Sequence, residues 1–150
     1  MSELPIVVGI DEQDAHPIEI DRWVALASSV LVDEGVLGPA ELDLTFVDAH
    51  HMRSLNEEHM GESGGTDVLS FPIDDRTDAV LEGQPRLLGD VVICPEIVYE
   101  RAPGSPIEEL ALMVVHGVLH ILGMDHAEAL EAAEMRAAEQ RHLQRWRESA

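Results

Sequence analysis

One helix constrains this chain more than anything else in it. Residues 105 to 126 read SPIEELALMVVHGVLHILGMDH, an apolar run with a start signal and a stop signal. Ser105 is placed to cap the helix, Pro106 suits its first position, and Glu108 completes an S-x-x-E capping box. Gly123 supplies the left-handed residue that closes a helix and lets the chain turn back. On this otherwise apolar helix stand His116 and His120, four residues apart and therefore on one face, with Cβ atoms about 5–6 Å apart.

Reversal of the chain at Gly123 brings His126 toward the same point. The resulting H-x-x-x-H-x-x-G-x-x-H is the spacing of three-histidine metal sites of the metzincin type, with three nitrogen ligands and an open fourth position. Three neutral imidazoles suit zinc, nickel, copper or iron, and one Zn2+ is expected because hydrolysis needs no redox chemistry. Gly117 stands where a zinc peptidase of the H-E-x-x-H type keeps its glutamate. Zinc lowers the pKa of its water to about 7 without that glutamate, but peptide cleavage also needs a proton for the leaving nitrogen. A small metallopeptidase is therefore a weak reading.

Two readings of Gly117 stay open: it leaves space beside the metal, or the helix simply packs tightly there. Candidate replacement bases are Asp125, beside the third ligand, and Glu109, two turns before His116 on roughly the same face. Asp125 equally suits a group that orients an imidazole. The other five histidines, His16, His50, His51, His59 and His142, read as surface or helix-face residues.

The rest of the chain alternates strands and helices. Residues 4 to 10 are β-branched and bounded by Pro5 and Gly9, a first strand. Asp21 is placed to cap a helix through about Glu34, with Gly35 as its stop. LDLTFVD, from residue 42, alternates with period two, a second strand. Helical spacing returns over residues 49 to 60, and TDVLSFPI and LLGDVVICP are two further apolar strands with an exposed loop between them. A short helix over about 96 to 102 precedes the histidine helix. A last one over about 127 to 146 carries Leu130, Ala133, Met135 and Leu143 on a charged cylinder. The class is α/β or α+β, a small mixed sheet packed with helices, in a single domain spanning residues 1 to 150.

With 45% hydrophobic and 26% charged residues, the chain has the mix of a globular protein, not a disordered one. MSELPIVVGIDEQ lacks a basic start, no apolar stretch reaches the roughly 20 residues of a bilayer span, and the one cysteine, Cys94, favours a reducing compartment. Cytoplasm is expected, with no membrane partner. All nine basic residues are arginine against 30 acidic ones, a formal charge of -21 that opposes non-specific binding to polyphosphate, so DNA is not expected as a partner. The acidity suits either a solvated surface or a face for a basic protein.

HGVLHILGMDH, GGTDVLSFP and LGDVVICP, in this chain at residues 116, 64 and 88 onward, together resemble the YbeY family (UPF0054) of bacterial metal-dependent endoribonucleases. The likeness runs from LDLTFVD to the last helix. It implies an α+β, zincin-like fold, a zinc held by His116, His120 and His126, and single-strand-specific cleavage of a ribosomal RNA precursor near the 3′ end of 16S rRNA, in ribosome biogenesis. One departure stands out. The family pattern L-N-x-x-x-R-G reads LNEEHMG here, so Met60 replaces an arginine whose planar fork suits phosphate. Either Arg53, two turns earlier, substitutes, or backbone and metal hold the phosphate.

Within TDVLSFP, Thr66, Asp67 and Ser70 are either turn and cap residues or contacts in a cleft. Arg136, Arg141, Arg145 and Arg147 on the last helix are a modest counterweight to the acidity. Docking through a basic ribosomal protein or assembly factor would relieve the conflict with RNA. A reading from another class makes the chain a metal-braced binding module for ribosome assembly. Its site would be closed, with Cys94 or Asp125 as fourth ligand.

Overall fold

Strand alternation decides which side of the sheet receives the histidine helix. The computed structural model describes residues 4–60, 67–73, 85–124 and 128–149, with His59 and Met60 described in their backbone alone. In order come β1 (Ile6–Asp11), α1 (Ile20–Asp33), β2 (Ala40–Phe46), α2 (Ala49–Met60), β3 (Val68–Pro72), β4 (Arg86–Ile93), α3 (Pro95–Arg101), α4 (Pro106–Ile121) and α5 (Ala129–Ser149). The sheet order is β1-β2-β4-β3. β2 runs parallel to both β1 and β4, while β3 is antiparallel to β4. The small mixed sheet expected from the sequence is the one observed.

Every second residue of β2, Leu42, Leu44 and Phe46, is fully buried against α1 and α4, together with Val91 and Ile93 of β4. Asp43 and Thr45 face the other way. On that second face a smaller cluster, Val47, Met52, Leu69, Val92, Cys94 and Ile97, seats α2 and α3 near one end of the sheet. The α4 helix buries nine residues, from Leu110 to Ile121, and so forms the spine of the main core.

Helix ends follow the glycines. After α4, Gly123 has φ 96; its N–H bonds to His120 O at 3.0 Å and the N–H of Met124 to Leu119 O at 3.0 Å. This is the Schellman pairing, and it satisfies two carbonyls the helix end leaves open. The same pairing closes α1, where Gly35 has φ 81 and the N–H groups of Gly35 and Val36 reach Val32 O and Leu31 O.

Helix starts follow the sequence less closely. Helix α1 begins at Ile20 with Glu19 in the capping position, so Asp21 lies inside the first turn, where its charge complements the helix dipole and caps nothing. Ser105 does precede α4, but its side chain makes no cap hydrogen bond. The capping box is not formed, because Glu108 is taken by Arg147 of α5, at 3.0 Å. On α5 itself Leu130 is 72% exposed; the inward stripe is Met135, Ala138, Glu139, His142 and Leu143.

Candidate functional site

His116 and His120 occupy the last two turns of α4 and are partly exposed at the end of a helix that is otherwise largely buried. Their ring centroids are 4.6 Å apart at an interplanar angle of 72°, edge to face. Two imidazoles at this separation fit a shared ion. Asp125 and His126 lie outside the described residues, as do Thr66 and residues 74–84, which the sequence reads as an exposed loop. Among the described residues alone, no three His, Cys, Asp or Glu side chains gather in a metal-holding group.

The third polar group at the histidines is one the sequence reading missed. Glu139 of α5 accepts a hydrogen bond from His116 Nδ1 at 2.5 Å, and the whole residue is 8% exposed. A signal for it was present: 135, 138, 139 and 142 have the i, i+3, i+4, i+7 spacing of a buried stripe, and Glu139 is a carboxylate on that stripe. His142, expected as a surface or helix-face residue, is on this inward face too and only 2% exposed. Its Nε2 donates to Glu34 Oε2 at 2.6 Å. His16 stacks on Tyr99 with centroids 3.9 Å apart, whereas His50 and His51 are exposed as expected.

Gly117 gives a clear answer to its two readings. A Cβ placed on it would lie 2.5 Å from Cγ1 of the buried Val91 and 3.3 Å from Cγ2 of Val68. The space is filled by the sheet, so the glycine exists for close packing and not to widen a site. One strand away, Ser70 Oγ donates to Gly117 O at 2.9 Å, which ties β3 to α4 directly beside His116. Ser70 is thus a brace, neither a cap nor an open cleft contact. Asp67 is buried and paired with Arg101 at 3.4 Å.

Glu109 sits in the first turn of α4, seven residues before His116, or about 10 Å along the axis. Cys94 is fully buried in the second cluster, and burial pushes its thiol pKa up, with the charges of Glu96 and Asp48 adding to the effect. Arg53 is exposed on α2, and the side chain of Met60 is not described. Three of the four arginines of α5 are tied to carboxylates, while Arg136 is exposed and forms no ion pair among the described residues. Arg141 pairs with Glu34 at 3.1 Å, Arg145 with Asp33 at 2.5 Å and Arg147 with Glu108 at 3.0 Å.

Two concavities flank these elements. One of about 270 Å³ lies where α4 ends and α5 begins, lined by Gly123, Met124, Glu131, Glu134 and Met135. The other, about 430 Å³, opens on the far face of the sheet beside Asp43 and Asp90, which face each other across β2 and β4. Burial raises the pKa of Asp90, and the charge and hydrogen bond of Asp43 raise it further.

A sequence profile of the family described as Endoribonuclease YbeY matches residues 10–147. An Endoribonuclease YbeY of Salinispora tropica is 40% identical over 150 aligned residues, covering 93% of this chain and 96% of its own. One from Beutenbergia cavernae is 47% identical over 79% of this chain and 84% of its own. One from Mycobacterium tuberculosis is 41% identical over 92% and 78%. The solution structure of TM1509 from Thermotoga maritima superposes with a TM-score of 0.61 over 96% of this chain and 93% of that one, at 23% identity, and so shares the fold. Among the described residues no helix is long and apolar enough to cross a membrane. With a profile match over nearly its whole length and relatives at 40% identity or more, the chain belongs to the YbeY endoribonuclease family.

Proposed function

We propose that this protein is a zinc-dependent, single-strand-specific endoribonuclease that acts in the cytoplasm on a ribosomal RNA precursor, in 16S rRNA 3′-end maturation and ribosome biogenesis. The observation that carries the reading is the edge-to-face pair of His116 and His120 on the exposed end of a buried helix, in a chain of this family. His116, His120 and His126 are the ligands in this reading, in a zincin-like arrangement. When bound, zinc supplies Lewis-acid polarisation of a phosphoryl oxygen. The chain's own part is to hold two imidazoles on a rigid helix, with Ser70 bracing that helix to the sheet.

Proton handling falls to Asp125 or Glu109, with Asp125 the better placed in sequence and equally suited to orienting a ligand. Gly117 cannot take that role, and Val91 leaves no room for a glutamate in its place, which counts against the peptidase reading. The metal-braced binding module needs a fourth protein ligand; Cys94, sequestered in another cluster, is unsuited to be one, which leaves Asp125 for that reading. RNA must still approach a chain of charge -21 in which three of the four α5 arginines are tied to carboxylates. Docking through a basic ribosomal protein or assembly factor meets that need.

The test is cleavage of structured ribosomal RNA by purified protein with and without a chelator. Chelation, His116→Ala and His120→Ala are each expected to lower cleavage at least 100-fold and to remove bound zinc. Cleavage that persists through all three belongs to a contaminant. A variant that loses zinc yet keeps full biological activity would favour the binding module.

A further inference from the structure

Glu139 is a carboxylate in the wrong company for an ordinary surface residue. It stands on the inward stripe of α5 between Ala138 and His142, is 8% exposed, and among the described residues pairs with no arginine. Among the described residues the one hydrogen-bond partner of its side chain is His116 Nδ1, at 2.5 Å across the α4–α5 interface. Burying a carboxylate is costly unless it is paired, and an ionised carboxylate only accepts hydrogen bonds. The contact therefore requires the proton of the neutral imidazole on Nδ1, which leaves Nε2 as the nitrogen with a lone pair for a metal.

We propose that Glu139 is the positioning residue of this site: through Nδ1 it fixes the tautomer and ring orientation of His116, so that Nε2 is the ligating atom. This rests on the metal reading given above. A carboxylate behind a ligating imidazole also raises the basicity of the ligand, and its loss typically lowers metal affinity 10- to 100-fold. The arrangement explains why a helix as polar as α5 commits a glutamate to its buried side. It also makes α5 part of the site, although it supplies none of the three histidines.

Two measurements on the full chain decide the matter. The first is zinc affinity by competition with a chromophoric chelator, for the parent protein, Glu139→Gln and Glu139→Leu. Glu139→Leu is expected to bind zinc about 10- to 100-fold more weakly. Glu139→Gln, whose amide oxygen still accepts from Nδ1, should fall between it and the parent. The second is the proton–nitrogen correlation spectrum of the imidazoles in the metal-free protein. His116 is expected to carry its proton on Nδ1 in the parent and to become a tautomer mixture in Glu139→Leu, a change that loss of packing alone does not produce.

Parent-like zinc affinity in Glu139→Leu overturns the proposal. So does finding the His116 proton on Nε2 in the parent, an outcome that needs no variant to fold. If the parent binds no zinc at all, the metal reading falls and takes this role with it. If the parent binds zinc, His120→Ala abolishes binding and Glu139→Leu does not weaken it, the metal reading stands and the positioning role alone fails.

Discussion

Gly117 shows how one missing side chain can settle a question of chemistry by sterics. The methyl of an alanine there would press on Val91, which is fully buried and β-branched, so it has no free rotamer into which to retreat. Overpacking of this kind costs about 1–3 kcal/mol, against roughly 1 kcal/mol gained when alanine replaces glycine inside a helix. The first effect wins. Gly117→Ala is expected to be destabilised by about 1 kcal/mol net, a fall in Tm of roughly 2–4 °C for a chain of this size, read by calorimetry. A stability equal to or above that of the parent would mean the helix and sheet are less tightly seated than the 2.5 Å approach indicates. Gly117→Glu is expected not to fold at all, so a peptidase motif cannot be restored by one substitution.

At the level of elements, α1 and α4 end in the same way and thereby offer a matched pair. Gly35 and Gly123 both hold positive φ, 81 and 96, and both sit in Schellman pairings. A Cβ at Gly123 would meet nothing within 4 Å, so its substitution costs conformational energy alone, about 1–2 kcal/mol. Gly35→Ala and Gly123→Ala are each expected to lose a stability of that order in denaturant unfolding. Zinc affinity, however, should drop in Gly123→Ala alone, because that turn starts the segment leading to His126. Equal zinc affinity in the two variants would separate the turn from the site. Both glycines were legible beforehand, as were the period-two strand β2 and the apolar runs bounded by breakers, because these signals are local. Helix caps were not, since Glu108 prefers Arg147 of a distant helix to the Ser105 backbone. Nor was the inward side of α5: with charges all round the cylinder, which glutamate turns in depends on where α4 lies. Glu139 and His142 were missed for that reason.

For the molecule as a whole, charge distribution is the feature that any RNA-directed activity has to overcome. The chain carries nine arginines against 30 acidic groups, and four of those arginines, Arg101, Arg141, Arg145 and Arg147, are paired with its own carboxylates. The arginine ends of these pairs are exposed, and the pairing removes their cations from any phosphate-binding face. The concavity next to the histidine helix is bordered by Glu131 and Glu134, which adds repulsion at short range. An RNA-binding surface made of arginines loses affinity steeply as salt rises, since each neutralised phosphate releases counterions. The opposite is expected here. Raising monovalent salt shortens the Debye length from about 30 Å at 0.01 M to about 8 Å at 0.15 M and screens a repulsive field. KM for an RNA substrate at fixed divalent ion should then hold level or fall severalfold over that range, with kcat unchanged. A KM that climbs by orders of magnitude would reveal a cationic surface that holds RNA directly, and the need for a basic docking partner would disappear.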